Sequence, residues 1–192
     1  MVQSLYDWLY RDMTLRTAGF ILGAVLVATH LWAFFNTRWL GPWLREAPRN
    51  KQVGVALLSV ALLGSLVLVA GMDLGEFHSL RKFGLIALPI GFGLTIAYMD
   101  ELLTARALGM VLLLAACPVL DAAFLEAPVT RLLLPALAYV WIGFGMFWVG
   151  KPYLLRDQIG WLTADEGRLK KFALAGAAYG AVILVCALAF WA

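Results

Sequence analysis

Six long apolar runs constrain this chain more than any other feature. They fall near 16–36, 53–72, 82–99, 102–124, 131–150 and 169–191. Each holds about 18–23 residues, and at 1.5 Å per residue that length crosses a hydrocarbon core roughly 30 Å thick. Backbone polar groups in lipid must be satisfied within the chain, so such runs have to be α-helices or strands of a closed barrel. A barrel strand alternates apolar and polar residues; the stretch Val55–Val69 does not alternate. The expected fold is therefore an all-α integral membrane protein, a bundle of six transmembrane helices.

Composition agrees. Of the 192 residues 63% are apolar and 14% are charged, whereas a soluble domain carries about a quarter charged residues. So short a soluble chain has too little interior for that apolar surface, and lipid must solvate part of it. The formal net charge of +3 does not point to nucleic acid, because the basic residues sit in short segments between the apolar runs, where positive charge orients membrane proteins. Membrane lipids and other membrane-protein subunits are the expected partners.

Ahead of the first span, residues 2–14 read as an amphipathic helix. Leu5, Trp8, Leu9 and Met13 share one face, with Asp7, Arg11 and Asp12 elsewhere, as in a helix lying in the membrane interface. This divides the chain into an interfacial helix over 1–15 and a single six-helix domain over 16–192. The first apolar run follows about 15 mixed residues, unlike a cleaved signal peptide.

The connections give further edges. Pro42 and Pro48 are read as breaking the first connection, and Pro128 lies in the one after the fourth run. Thr163-Ala164-Asp165-Glu166 has the form of a capping box before the last helix, a hydroxyl at the cap and a carboxylate three residues on. Asp100 and Glu101 are placed to favour the N-terminus of the fourth span, with Arg106 a turn further along. Trp32, Trp39 and Trp43 gather at the end of the first span, and Trp148, Tyr153 and Trp161 around the connection after the fifth, a depth that aromatic rings favour.

Lysine and arginine counts set an orientation. Arg38, Arg45, Arg49, Lys51, Arg106, Lys151, Arg156, Arg168, Lys170 and Lys171 lie on one side; Arg11, Arg16, Arg81, Lys82 and Arg131 lie on the other. The richer side is expected to be cytoplasmic, with both termini facing away, in a bacterial-type inner membrane.

Two similarities suggest helical hairpins of common orientation. Ile90-Gly91-Phe92-Gly93 recurs as Ile142-Gly143-Phe144-Gly145. Gly41-Pro42-Trp43-Leu44-Arg45-Glu46 resembles Lys151-Pro152-Tyr153-Leu154-Leu155-Arg156-Asp157.

Few residues carry chemistry. His30 lies well inside an apolar run, and an ionisable group there is a functional candidate. It is the one candidate for cofactor contact, a haem or quinone shared with a partner. His78 falls at the opposite surface, so the two imidazoles differ in depth by roughly 15–25 Å and cannot ligate one haem within the chain. The bland reading of His30 is a neutral imidazole hydrogen-bonded to a neighbouring helix. Asp73, Glu76 and His78 form a D-x-x-E-x-H cluster next to Arg81 and Lys82, which reads as a solvated loop rather than a metal site. Cys117 and Cys186 are isolated in apolar runs and suit neither zinc nor an iron–sulfur cluster. The motifs HExxH, GxxxxGK and GxSxG are absent. No catalytic residue and no metal is assigned.

Gly176 and Gly180 form a GxxxG pair within the face Ala173, Gly176, Ala177, Gly180 and Ala181 of the last run. Such a face lets two helix backbones approach closely, and it is read as a helix-packing face. The functional expectation is a non-catalytic subunit or scaffold of a larger membrane complex. A small oligomeric transporter or channel is the alternative, and a membrane redox or lipid-modifying enzyme using His30 is another.

Overall fold

The computed structural model describes residues 2–99 and 102–191; Asp100 and Glu101, read above as capping the fourth span, lie outside the described residues. The chain is an all-α bundle with six helices long and apolar enough to cross a membrane. In order these are α2 (Leu15–Phe35), α4 (Lys51–Gly71), α5 (Arg81–Tyr98), α6 (Leu103–Ala122), α7 (Leu133–Gly150) and α9 (Glu166–Ala189). Short 3-10 turns lead into α5 and α7. A short helix α1 (Val2–Tyr10) precedes the first span, and two more, α3 (Thr37–Glu46) and α8 (Tyr153–Thr163), follow the first and fifth.

Side chains at the starts of the spans satisfy backbone donors that have no intrahelical acceptor. The Thr14 hydroxyl accepts from Thr17 N at 3.2 Å. The Asn50 amide oxygen accepts from Gln52 N at 2.9 Å and from Val53 N at 3.3 Å. At α9 the cap is Asp165, whose carboxylate accepts from Gly167 N at 3.1 Å. That corrects the capping box read at Thr163–Glu166. Thr163 closes α8 instead, its hydroxyl donating to Ile159 O at 2.7 Å.

The two connections that looked alike in sequence are both helical. Pro42 lies inside α3 rather than breaking the chain. Proline's missing N–H leaves one helical carbonyl unpaired. In so short a helix the burial of Leu40, Gly41 and the following Ala47 and Pro48 outweighs that loss. Pro152 sits at the cap of α8, where its fixed φ suits a helix start.

Glycine positions decide how the spans pair. α2 and α9 run antiparallel in close contact along most of their length. A Cβ at Gly180 would lie 2.7 Å from Leu26 Cβ, 3.0 Å from Val27 N and 3.1 Å from Gly23 O; one at Gly23 would lie 3.0 Å from Gly180 O. Near the ends of the same pair, Gly19 accepts the ring of Trp191. α6 and α7 interlock likewise: a Cβ at Gly109 would lie 2.7 Å from Gly145 O, and one at Gly145 2.9 Å from Gly109 O. α4 runs parallel to α6, with Gly54 against Leu103 and Thr104. The Thr104 hydroxyl donates to Asn50 O at 2.9 Å across this contact.

α6 is thus central. The main buried cluster joins Leu15 and Ala18 of α2, Ala116, Val119 and Ala122 of α6, Leu134 and Ala138 of α7, and Ile183, Cys186 and Ala187 of α9. α5 stands apart, packed chiefly on α4, with no buried residue. α1 lies across α4 and α6, the Tyr6 ring filling the space over Gly71. Tyr10 of α1 is held above the ordinary tyrosine value of 10.0, first by burial and then by the neighbouring Cys117, Tyr6 and Asp121.

Candidate functional site

The three residues singled out in the sequence meet along one seam. His30 is eleven positions past Gly19 on α2, which is about three turns, so it lies on the face that meets α9. Its ring rests on Gly176, where any added Cβ would overlap Cδ2 and Nε2. Gly180 lies a turn further along α9, against Leu26 and Val27. The buried stripe of α9 runs through Ala173, Ala177 and Gly180 to Ile183 and Ala187; Gly176 sits half-buried at its edge and Ala181 faces outward.

The imidazole is held from two sides. Nδ1 is 2.9 Å from the carbonyl of Leu26, one turn earlier in α2 itself, which corrects the expected bond to a neighbouring helix. A carbonyl only accepts, so Nδ1 carries a hydrogen, and in the neutral ring the lone pair sits on Nε2. Phe172 of α9 lies beside the ring, with centroids 6.0 Å apart at 41°. Gly176 lies beneath the ring face at the Cδ2–Nε2 bond, where an added Cβ would overlap both atoms. His30 thus fills the notch that Gly176 leaves, a knob in a glycine hole.

Several other polar groups in the spans are spent on contacts with helix backbone or side chains. Tyr179 OH donates to Leu133 O at 2.7 Å, joining α9 to α7. Trp191 Nε1 donates to Thr130 Oγ1 at 2.9 Å. The hydroxyls of Ser59 and Thr95 turn back on their own helices, to Val55 O and Gly91 O. Asp73, Glu76 and His78 do not come together: no group of three or more potential metal ligands occurs among the described residues. The Asp73 carboxylate accepts from Gly75 N at 2.9 Å, and Arg81 donates to Met72 O at 2.6 Å, so both serve the turn into α5.

At the end of the bundle rich in lysine and arginine, α3 packs against α8 and α9. Arg45 of α3 clasps the end of α8, with Nε donating to Thr163 Oγ1 at 2.8 Å and Nη2 to Thr163 O. Trp32, Trp39 and Trp43 form a continuous aromatic edge, the first pair T-shaped at 5.7 Å and the second stacked at 6.3 Å. Arg168 lies over Trp161 at 5.0 Å, and Trp148 Nε1 donates to Gln158 Oε1 at 2.9 Å. The aromatic clusters were legible in the sequence. The Arg45–Thr163 clasp was not, since nothing local to either residue marks the other. The chain matches no protein-family model, no curated protein and no solved structure.

Proposed function

We propose that this chain is a non-catalytic subunit or scaffold of a larger membrane complex, held in a bacterial-type inner membrane with both termini away from the cytoplasm. The observation that carries the reading is the isolation of α5. Every other span contributes fully buried residues to the core, while α5 has none, its Phe92 and Ile96 being partly buried against the contact of α4 with α6. Its Gly91 and Gly93 have nothing within contact distance of an added Cβ. A span attached on one side, with Ile90 and Leu94 exposed on the other and Gly91 and Gly93 open at its flanks, leaves an apolar surface for a further helix. The packing roles of His30, Tyr179 and Trp191 support a structural reading over an enzyme or a transporter, because they leave little polar lining for a path or a reaction.

The test places a photo-activated cross-linking residue at Ile90 or Leu94, both exposed on α5, in the native host. Cross-links to another integral membrane polypeptide, lost in Gly91→Leu/Gly93→Leu, are expected. Cross-links to lipid alone, together with a mild-detergent particle containing only one 21.1 kDa chain, would refute the subunit reading.

A further inference from the structure

A cleft of about 600 Å³ opens where α2 begins and α9 ends. Its walls come from three separate parts of the chain: Thr14, Leu15 and Arg16 at the start of α2, Glu126, Ala127 and Pro128 between α6 and α7, and Phe190 and Trp191 after α9. The volume lies within the ordinary range for small-ligand sites, which is roughly 300–1,000 Å³. Because α2 and α9 are spans, their ends lie at the level of the lipid headgroups.

Two of the polar groups here are engaged within the protein and two are not. The Thr14 hydroxyl caps α2, and Trp191 Nε1 is satisfied by Thr130. Arg16 and Glu126, by contrast, are exposed and form no side-chain hydrogen bond or ion pair, with each other or with any other described residue. A cation and an anion thus line one cleft without neutralising one another. The apolar lining is Leu15 and Trp191, both buried, and the neighbouring Phe190, which is 62% exposed.

We infer that this cleft binds a zwitterion bearing a primary ammonium and a phosphate, presented as the headgroup of an ethanolamine phospholipid. The chemistry follows from the two charges. The Arg16 guanidinium offers paired N–H donors to phosphate oxygens. The Glu126 carboxylate accepts hydrogen bonds, which a primary ammonium supplies and a quaternary choline ammonium does not. A purely anionic headgroup leaves Glu126 facing like charge, and a simple cation leaves Arg16 unmatched. The apolar lining gives the acyl chains a surface beside the end of α9.

The full chain, stripped of lipid in mild detergent, is reconstituted in phosphatidylglycerol vesicles holding equal amounts of phosphatidylethanolamine and phosphatidylcholine. Lipid retained after gentle extraction is then read by native mass spectrometry. The parent chain is expected to retain the ethanolamine lipid over the choline lipid by about threefold or more, the scale of one well-placed surface charge pair. Glu126→Gln is expected to retain the two equally, and Arg16→Gln to retain less of both. Glu76→Gln, a carboxylate outside the cleft, should keep the parent's preference. Equal retention of both lipids by the parent chain, or an undiminished preference in Glu126→Gln, overturns the inference. If Arg16→Gln does not fold, Glu126→Gln alone decides. Soluble glycerophosphoethanolamine added at matching concentration separates the sources. Failure to displace the lipid supports the lipid headgroup as occupant; full displacement supports the same recognition chemistry but overturns the lipid assignment.

Discussion

At Gly180 the distance between two helices is set by the absence of a single carbon. An added Cβ would meet backbone atoms of α2, Val27 N and Gly23 O, as well as Leu26 Cβ, and backbone cannot rotate away as a side-chain tip can. Burying apolar side chains gives helices in lipid little drive to associate, so close approach supplies much of the attraction. Gly176→Leu/Gly180→Leu is therefore expected to separate α2 from α9 and to lower stability by about 1–3 kcal/mol, the usual cost of overpacking. Thermal unfolding in mild detergent measures it. Gly143→Leu is the matched control, since an added Cβ there meets nothing within 4 Å and no loss is expected. Parent-like stability in the double variant would mean that the α9 face does not hold α2. His30 belongs to the same contact: its ring is oriented by Leu26 O and seated on Gly176.

Like α5, α1 has no buried residue; it rests on α4 and α6 through Tyr6 and Tyr10. Its docking carries a pH dependence. Burial, with Cys117, Tyr6 and Asp121 nearby, raises the Tyr10 phenol above 10.0. A group whose folded value is raised binds its proton more tightly when folded. Its stabilisation is thus fully present below pH 10.0 and is lost as pH climbs through the higher folded value. α1 should stay docked at neutral pH and loosen in strong alkali. Rising reactivity of Cys117 toward a thiol reagent, corrected for the reagent's own pH response, reports the loosening. In Tyr10→Phe that step should disappear, and an unchanged alkaline step there would assign it to another group. α3 and α8 show a different balance at element scale. Neither is long enough to be stable alone in water, where isolated helices need about 12–15 residues. The Arg45–Thr163 clasp and the burial of Leu40 and Leu155 hold them.

For the whole molecule, six spans place both termini on one side. The orientation proposed from the lysine and arginine asymmetry puts the α3 and α8 ends in the cytoplasm. With the native cysteines replaced, a cysteine at Gln3 should react with a membrane-impermeant thiol reagent on intact cells. One at Asp157, exposed on α8, should react only after permeabilisation. The opposite pattern would invert the topology and move the Arg16–Glu126 cleft to the cytoplasmic leaflet.

The sequence by itself determined the class and the number of spans, because crossing a membrane depends on the length and polarity of a continuous run, a local property. It also showed His30 and the glycine pair as separate features. Only the tertiary structure joined them, and only it turned the Gly-Pro connection at Gly41-Pro42 into a helix. The two Ile-Gly-Phe-Gly segments show the reason. In α7, Gly145 is locked against the Gly109 carbonyl, while at its counterpart Gly93 in α5 an added Cβ would meet nothing within 4 Å. Identical residues meet different surroundings because lipid and a neighbouring helix are almost equally apolar. Hydropathy therefore does not say which face turns inward; steric fit between segments far apart in the chain decides it.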